Sequence, residues 1–134
     1  MIADWAEKYV NIPYKLNGRD YGGCDCYGLV CIIYKDSMGL ILPSLAGSYS
    51  ELGGSLVSLY EDNKGNWQQV DSPLIGDVVY FNVSGFPVHV GVYVGDNCFI
   101  HNIKNNGSSS IGDVTHAKWK HRLIGYWRYD NSSA

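Results

Sequence analysis

An α+β domain is what this sequence predicts. Helix-like patterns sit in the N-terminal half, and runs rich in β-branched and aromatic residues begin at Asp77 and continue to Tyr129. The two regions are segregated rather than alternating, which argues for an antiparallel sheet with helices packed on it. With 134 residues, 46% hydrophobic and 17% charged, the chain is long and apolar enough for a single domain with one real core, taken as residues 1–134.

Residues 2–11 read as a short amphipathic helix with Ile2, Trp5, Ala6, Tyr9 and Val10 on one face, stopped at Ile12-Pro13. A glycine-rich loop follows over 14–25. Asp25 is a candidate N-cap, and 26–38 is a helix apolar nearly all round, hence central and buried, ended by Gly39. Tyr49–Tyr60 allows a further helix despite Gly53-Gly54, and Asp62–Asn66 is a turn. Strands are expected at Asp77–Asn82, Val88–Val94, Cys98–Ile103 and Leu123–Tyr129. Gly95-Asp96-Asn97 makes a hairpin turn between the second and third, and Asn105–Ser110 is a polar loop.

Composition removes several classes of function. Net charge is −3 and the longest basic run is Lys118–Arg122, so nucleic-acid binding has little support. The N-terminus lacks the basic and apolar regions of a signal peptide, and no stretch reaches membrane-spanning length. The chain is expected to be complete, which its Met1 favours, and made in the cytoplasm, with a fragment of a longer protein as the alternative. Four cysteines (24, 26, 31, 98) fit neither a disulfide framework nor the paired clusters of a zinc site.

Cys26 is the residue with the clearest chemical opportunity. A cysteine on the first turn of a helix faces orphan N–H groups and the positive end of the helix dipole, which favour a thiolate. The bland alternative is a buried core cysteine. A thiol nucleophile needs a base. His89 lies in Val-His-Val-Gly-Val-Tyr-Val, where alternation places His89, Gly91 and Tyr93 on one face and the valines on the other. His89 is expected to look across a groove, with Gly91 leaving space beside it for a substrate or a helix. His101 lies on the partner strand, within reach of His89, and could fix its tautomer. His116 and His121 sit in a Lys-rich segment and read as solvated surface residues. Cys24 reads as a small loop filler, with a redox partnership to Cys26 as the sharper alternative.

These motifs together resemble the NlpC family of papain-like cysteine peptidases, which cleave bacterial cell-wall peptides. Ile12-Pro-Tyr-Lys-Leu-Asn-Gly18 resembles the family's N-terminal loop. Asp25-Cys26-x-Gly28-Leu29-Val30 resembles the nucleophile motif, Gly76–Phe81 the first long strand, His89–Gly95 the base motif and Phe99-Ile100-His101 the strand of the third residue. The resemblance implies a papain-like fold with a central buried helix on an antiparallel sheet. It implies Cys26 as nucleophile, His89 as general base and acid, and His101 as the orienting group. Tyr14, Asp25 and Tyr27 would contact substrate, and the Tyr14 hydroxyl would join the Cys26 N–H at the oxyanion. Tyr27 stands where the family commonly has Ser. The reaction implied is hydrolysis of an amide in peptidoglycan peptides, often between γ-D-glutamyl and a diamino acid, with no metal and no cofactor. A short member without a leader resembles the phage-tail-associated peptidases, with tail proteins as partners. A secreted effector, a thiol acyltransferase or amidase, and a non-catalytic tail module are the alternatives.

Overall fold

The computed structural model describes residues 1–46, 67–83 and 86–129. The helix at Tyr49–Tyr60 and the turn at Asp62–Asn66 lie outside the described residues. The architecture is mixed α+β. A two-stranded ribbon, β1 (Arg19–Asp20) and β2 (Gly23–Cys24), leads into the helix α1 (Cys26–Met38). The main sheet comprises β3 (Trp67–Val70), β4 (Val78–Val83), β5 (Phe86–Gly95), β6 (Cys98–His101), β7 (Ser110–Asp113) and β8 (Leu123–Tyr129). The order across it is β3-β8-β4-β5-β6-β7, and every pairing is antiparallel. A single-turn helix, α2 (Ala117–Lys120), precedes β8.

Helix α1 begins and ends where the residues dictate. Asp25 is extended and its side chain accepts from the Gly28 N–H at 2.8 Å, satisfying one orphan donor of the first turn. Gly39 adopts φ 69° and its N–H bonds to the Tyr34 carbonyl, closing the last turn. Gly28 is required by packing: a Cβ there would lie 2.1 Å from the Gly18 carbonyl oxygen and 2.9 Å from Arg19 Nη1. The loop before the helix can therefore fold back over its first turn.

The sheet has two different faces. Val78 and Tyr80 of β4, Val90, Val92 and Val94 of β5 and Ile100 of β6 pack with Leu29, Val30, Ile32 and Ile33 of α1. On the opposite face Val79, Phe81, Tyr93, Phe99, Val114 and Trp119 form a second, aromatic core. Period-two alternation along β5 thus assigns Val90, Val92 and Val94 to the helix side and Tyr93 to the aromatic side. Asp96 (φ 53°) and Asn97 (φ 64°) form the tight β5–β6 turn, both in the left-handed region that Asp and Asn tolerate.

Four expectations change. The helix over 2–11 shrinks to a 3₁₀ turn at Ala6–Tyr9. The Ala3 N–H bonds to the Val94 carbonyl, drawing the first residues alongside β5, and Asn11 turns away at φ 69°. So short a segment cannot repay helix nucleation without tertiary help. The 14–25 loop contains the β1–β2 ribbon. The polar 105–110 segment is a 3₁₀ turn (Lys104–Asn106) leading into an edge strand, and the Lys-rich stretch holds α2. Strands β3 and β7 lack alternation because each is an edge strand defined by a partner: β3 pairs with β8, some sixty positions on, and β7 with β6.

Candidate active site

Cys26 is the first residue of α1 and is partly buried. Its sulfur lies against the backbone N–H groups of Val90, on β5, and of Tyr27. The neighbouring residue on β5, His89, is 4% exposed, and its Nε2 meets Nδ1 of His101 at 2.7 Å. His101 pairs across the sheet with Gly91. The sequence left open whether Gly91 makes room for substrate. It makes room for β6: a Cβ at Gly91 would sit 2.8 Å from the Ile100 oxygen, 3.1 Å from the Phe99 ring and 3.2 Å from the His101 Cβ. The glycine therefore permits the diagonal approach of the two imidazoles.

His89 does not look across an open groove. Trp119 stacks on it (centroids 5.6 Å, 22°) and stands edge-on to His101 (5.0 Å, 90°), with Phe81 and Phe99 completing the enclosure. Burial holds both imidazoles below their ordinary range: His89 well below it, with His101 and Lys118 adding to the effect, and His101 at about 4, with Lys118 adding. Both rings are neutral at pH 7. Because Nε2 of His89 is committed to His101, Nδ1 is its remaining nitrogen.

The thiol also departs from the sequence expectation. Burial, then the Asp25 carboxylate, pushes Cys26 up to about 12, against the favourable N–H groups of Val90 and Tyr27. A helix N-terminus favours a charge by ~0.3–1 kcal/mol, at most ~2. A thiol raised to about 12 corresponds to roughly 4 kcal/mol against the thiolate. Desolvation wins, and the resting thiol is protonated.

Asp25, expected at the substrate, caps the helix. It is 1% exposed, and its oxygens accept from Gly28 N and Arg19 Nη1 on one side and Asn17 N on the other. Tyr27 packs under the Arg19 guanidinium (5.5 Å) and donates its hydroxyl to the Pro43 carbonyl at 2.8 Å. Tyr14 is held through its backbone, beside Cys24 and bonded to the Gly107 carbonyl. Cys24 is fully buried, as a filler would be. His116 and His121 are exposed, and His116 caps α2.

Sequence reasoning missed Arg19, Trp119 and Asn102. Arg19 bridges Asp25 and the Ser44 carbonyl. Trp119 was hidden between two lysines, its burial visible only once the aromatic face is assembled. Asn102 directly follows His101, which was the one available signal. Among the described residues no group of three or more His, Cys, Asp or Glu side chains could hold a metal.

The NlpC/P60 family model matches residues 11–128. The chain belongs to the NlpC/P60 family. Among curated relatives it is 29% identical over 131 residues to a probable peptidoglycan endopeptidase, LytE, of Bacillus subtilis, covering 96% of this chain and 34% of that protein. It is 31% identical over 134 residues to the gamma-DL-glutamyl hydrolase of the same organism, covering 97% of this chain and 29% of that one. The chain thus spans about a third of each relative's length. Among solved structures, an NLP/P60-family protein similar to lipoprotein from Staphylococcus aureus superposes with a TM-score of 0.66 at 27% identity, over 96% of this chain and 40% of that one. The NlpC/P60 fold and the expected α+β class agree.

Proposed function

We propose that this NlpC/P60 domain is a cysteine peptidase that hydrolyses an amide bond in peptidoglycan stem peptides, with Cys26 as nucleophile, His89 as base and acid, and His101 as its orienting partner. The observation that carries the reading is the 2.7 Å contact of His101 with His89, the β5 residue just before Val90, whose N–H meets the Cys26 sulfur. In the productive tautomer His89 donates from Nε2 to His101 Nδ1, leaving Nδ1 of His89 as the acceptor for the thiol proton. As sulfur adds to the carbonyl carbon, that proton passes to His89. It then goes to the leaving nitrogen as the C–N bond breaks. Water, deprotonated by His89, cleaves the thioester and returns the proton to sulfur. The neutral resting pair makes proton transfer part of the attack, rather than a preformed ion pair.

A γ-D-glutamyl bond is the preferred scissile site, supported by the relative named as a γ-glutamyl hydrolase. Association with a phage tail belongs to the same proposal, and recovery of the chain with purified tails would support it. Incubation with soluble muropeptides, read by mass spectrometry beside Cys26→Ala and His89→Ala, tests the chemistry. Cleavage by the unmutated chain alone is expected, with fragment masses naming the bond. Cleavage that survives Cys26→Ala would remove the proposal.

A further inference from the structure

We propose that Asn102 is a positioning residue that holds the nucleophile's turn in register with the histidine pair. The inference rests on the reading that Cys26 and His89 carry the reaction. Asn102 is fully buried, immediately after His101. Its Nδ2 donates to the Cys24 carbonyl at 2.9 Å, the Ile12 carbonyl at 3.1 Å and the Pro13 carbonyl at 3.4 Å, and lies 3.5 Å from the Cys24 sulfur. One amide therefore gathers three carbonyl oxygens from two chain segments, oxygens that would repel one another without a shared donor.

The orientation of this amide is set by chemistry. Turned over, Oδ1 would face the three carbonyls. As it stands, Oδ1 is buried with no hydrogen-bond partner among the described residues. Native folds leave few buried polar atoms unpaired, so the donor contacts must outweigh that loss.

What the clamp joins is specific. Cys24 is two residues before Cys26, and Asn102 is one residue after His101, so one end is within two ~3.8 Å Cα steps of the nucleophile and the other within one of the residue that orients the base. The contacts close a ring. It runs from Cys26 through Asp25 to the Cys24 carbonyl, across to Asn102 and His101, then to His89 and Val90, whose N–H meets the Cys26 sulfur. Release of the Cys24 link opens this ring on the nucleophile side. A second clasp on the same N-terminal loop does not belong to it: Ser109 Oγ accepts from the Ile12 N–H and donates to the Tyr9 carbonyl.

The test compares Asn102→Leu, which keeps the volume and removes the donor, with Asn102→Ser, which retains one hydroxyl, and with Ser109→Ala. Turnover of muropeptides is measured per titrated thiol, below the melting temperature of each variant. A misplacement of about 1 Å costs on the order of 100-fold. Asn102→Leu is therefore expected to lower kcat by roughly 10- to 100-fold with KM within about twofold. Asn102→Ser should fall between it and the unmutated chain, and Ser109→Ala should lower the melting temperature while keeping kcat. Unchanged kcat in Asn102→Leu, or an equal fall in Ser109→Ala, overturns the proposal. Should Asn102→Leu not fold, Asn102→Ser decides by the same criterion. Without muropeptide turnover in the unmutated chain, the pH profile of Cys26 alkylation by iodoacetamide is the readout: a changed profile in Asn102→Ser supports the clamp and an identical one overturns it. Survival of cleavage in Cys26→Ala would remove the underlying mechanism, whereas a silent Asn102 substitution removes only this role.

Discussion

At the scale of single residues, the site is built from groups kept neutral. Cys26 is raised by burial and by Asp25, and His89 and His101 are lowered by burial and by Lys118. Each shift disfavours the charged form, so the free energy stored in a thiolate–imidazolium pair is absent at rest. Alkylation of Cys26 by iodoacetamide should therefore be slow at pH 7 and climb steadily as pH rises beyond 9, without the acid-side plateau that a preformed ion pair gives. A rate already at its maximum between pH 5 and 7 would contradict the neutral pair. Substrate that displaces water from Cys26 does not by itself lower the thiol, so His89 must take the proton during attack.

At the scale of elements, the start of α1 decides where the nucleophile stands. Asp25 caps the helix and holds Arg19 and Asn17, while the bare Cα of Gly28 lets the Gly18 carbonyl sit against the first turn. Two effects of opposite sign meet at Gly28. Alanine is the better helix former by ~1 kcal/mol. The added methyl would nevertheless stand 2.1 Å from a backbone oxygen, a contact that no rotamer relieves. Overpacking of this kind costs about 1–3 kcal/mol or more. Gly28→Ala is expected to lower stability by a net ~1–2 kcal/mol in urea unfolding, with loss of activity as the loop lifts from the helix. An increase in stability would mean that helix propensity governs this turn.

Across the whole molecule, one sheet separates two cores. The valine face receives α1, and the aromatic face encloses the imidazoles. This burial fixes the direction of the pH dependence of stability. His101, at about 4 when folded, and His89, also lowered, bind protons in the unfolded chain near ~6.5. Between about pH 6.5 and 4 the unfolded state thus carries more protons, and stability falls as pH falls, by up to ~1.4 kcal/mol per pH unit per histidine. Cys24 and Cys31, each raised to about 11, and Cys26, at about 12, act at the other end. The unfolded thiols ionise first, near ~8.5, so stability falls again as pH rises above that. Urea midpoints should be highest between about pH 6.5 and 8.5. His101→Gln should flatten the acidic limb, and an unchanged limb would contradict the buried neutral pair.

The sequence by itself determined the α+β class, the limits of α1 at Asp25 and Gly39, the alternation of β5, its hairpin to β6, and the order of the family motifs. Each of these depends on contacts between near neighbours: a cap and its third N–H, a strand and its period, a two-residue turn. Only the tertiary structure decided that the two histidines are enclosed by Trp119 and that Asp25 is occupied by Arg19 and Asn17. It likewise decided that edge strands form at residues 67–70 and 110–113, and that Asn102 joins the nucleophile's turn to the histidine strand. The physical reason is the same in each case. Desolvation, strand pairing at an edge and a side-chain clamp all depend on what arrives from distant positions in the chain, and these residues have no local period or spacing that announces the partner.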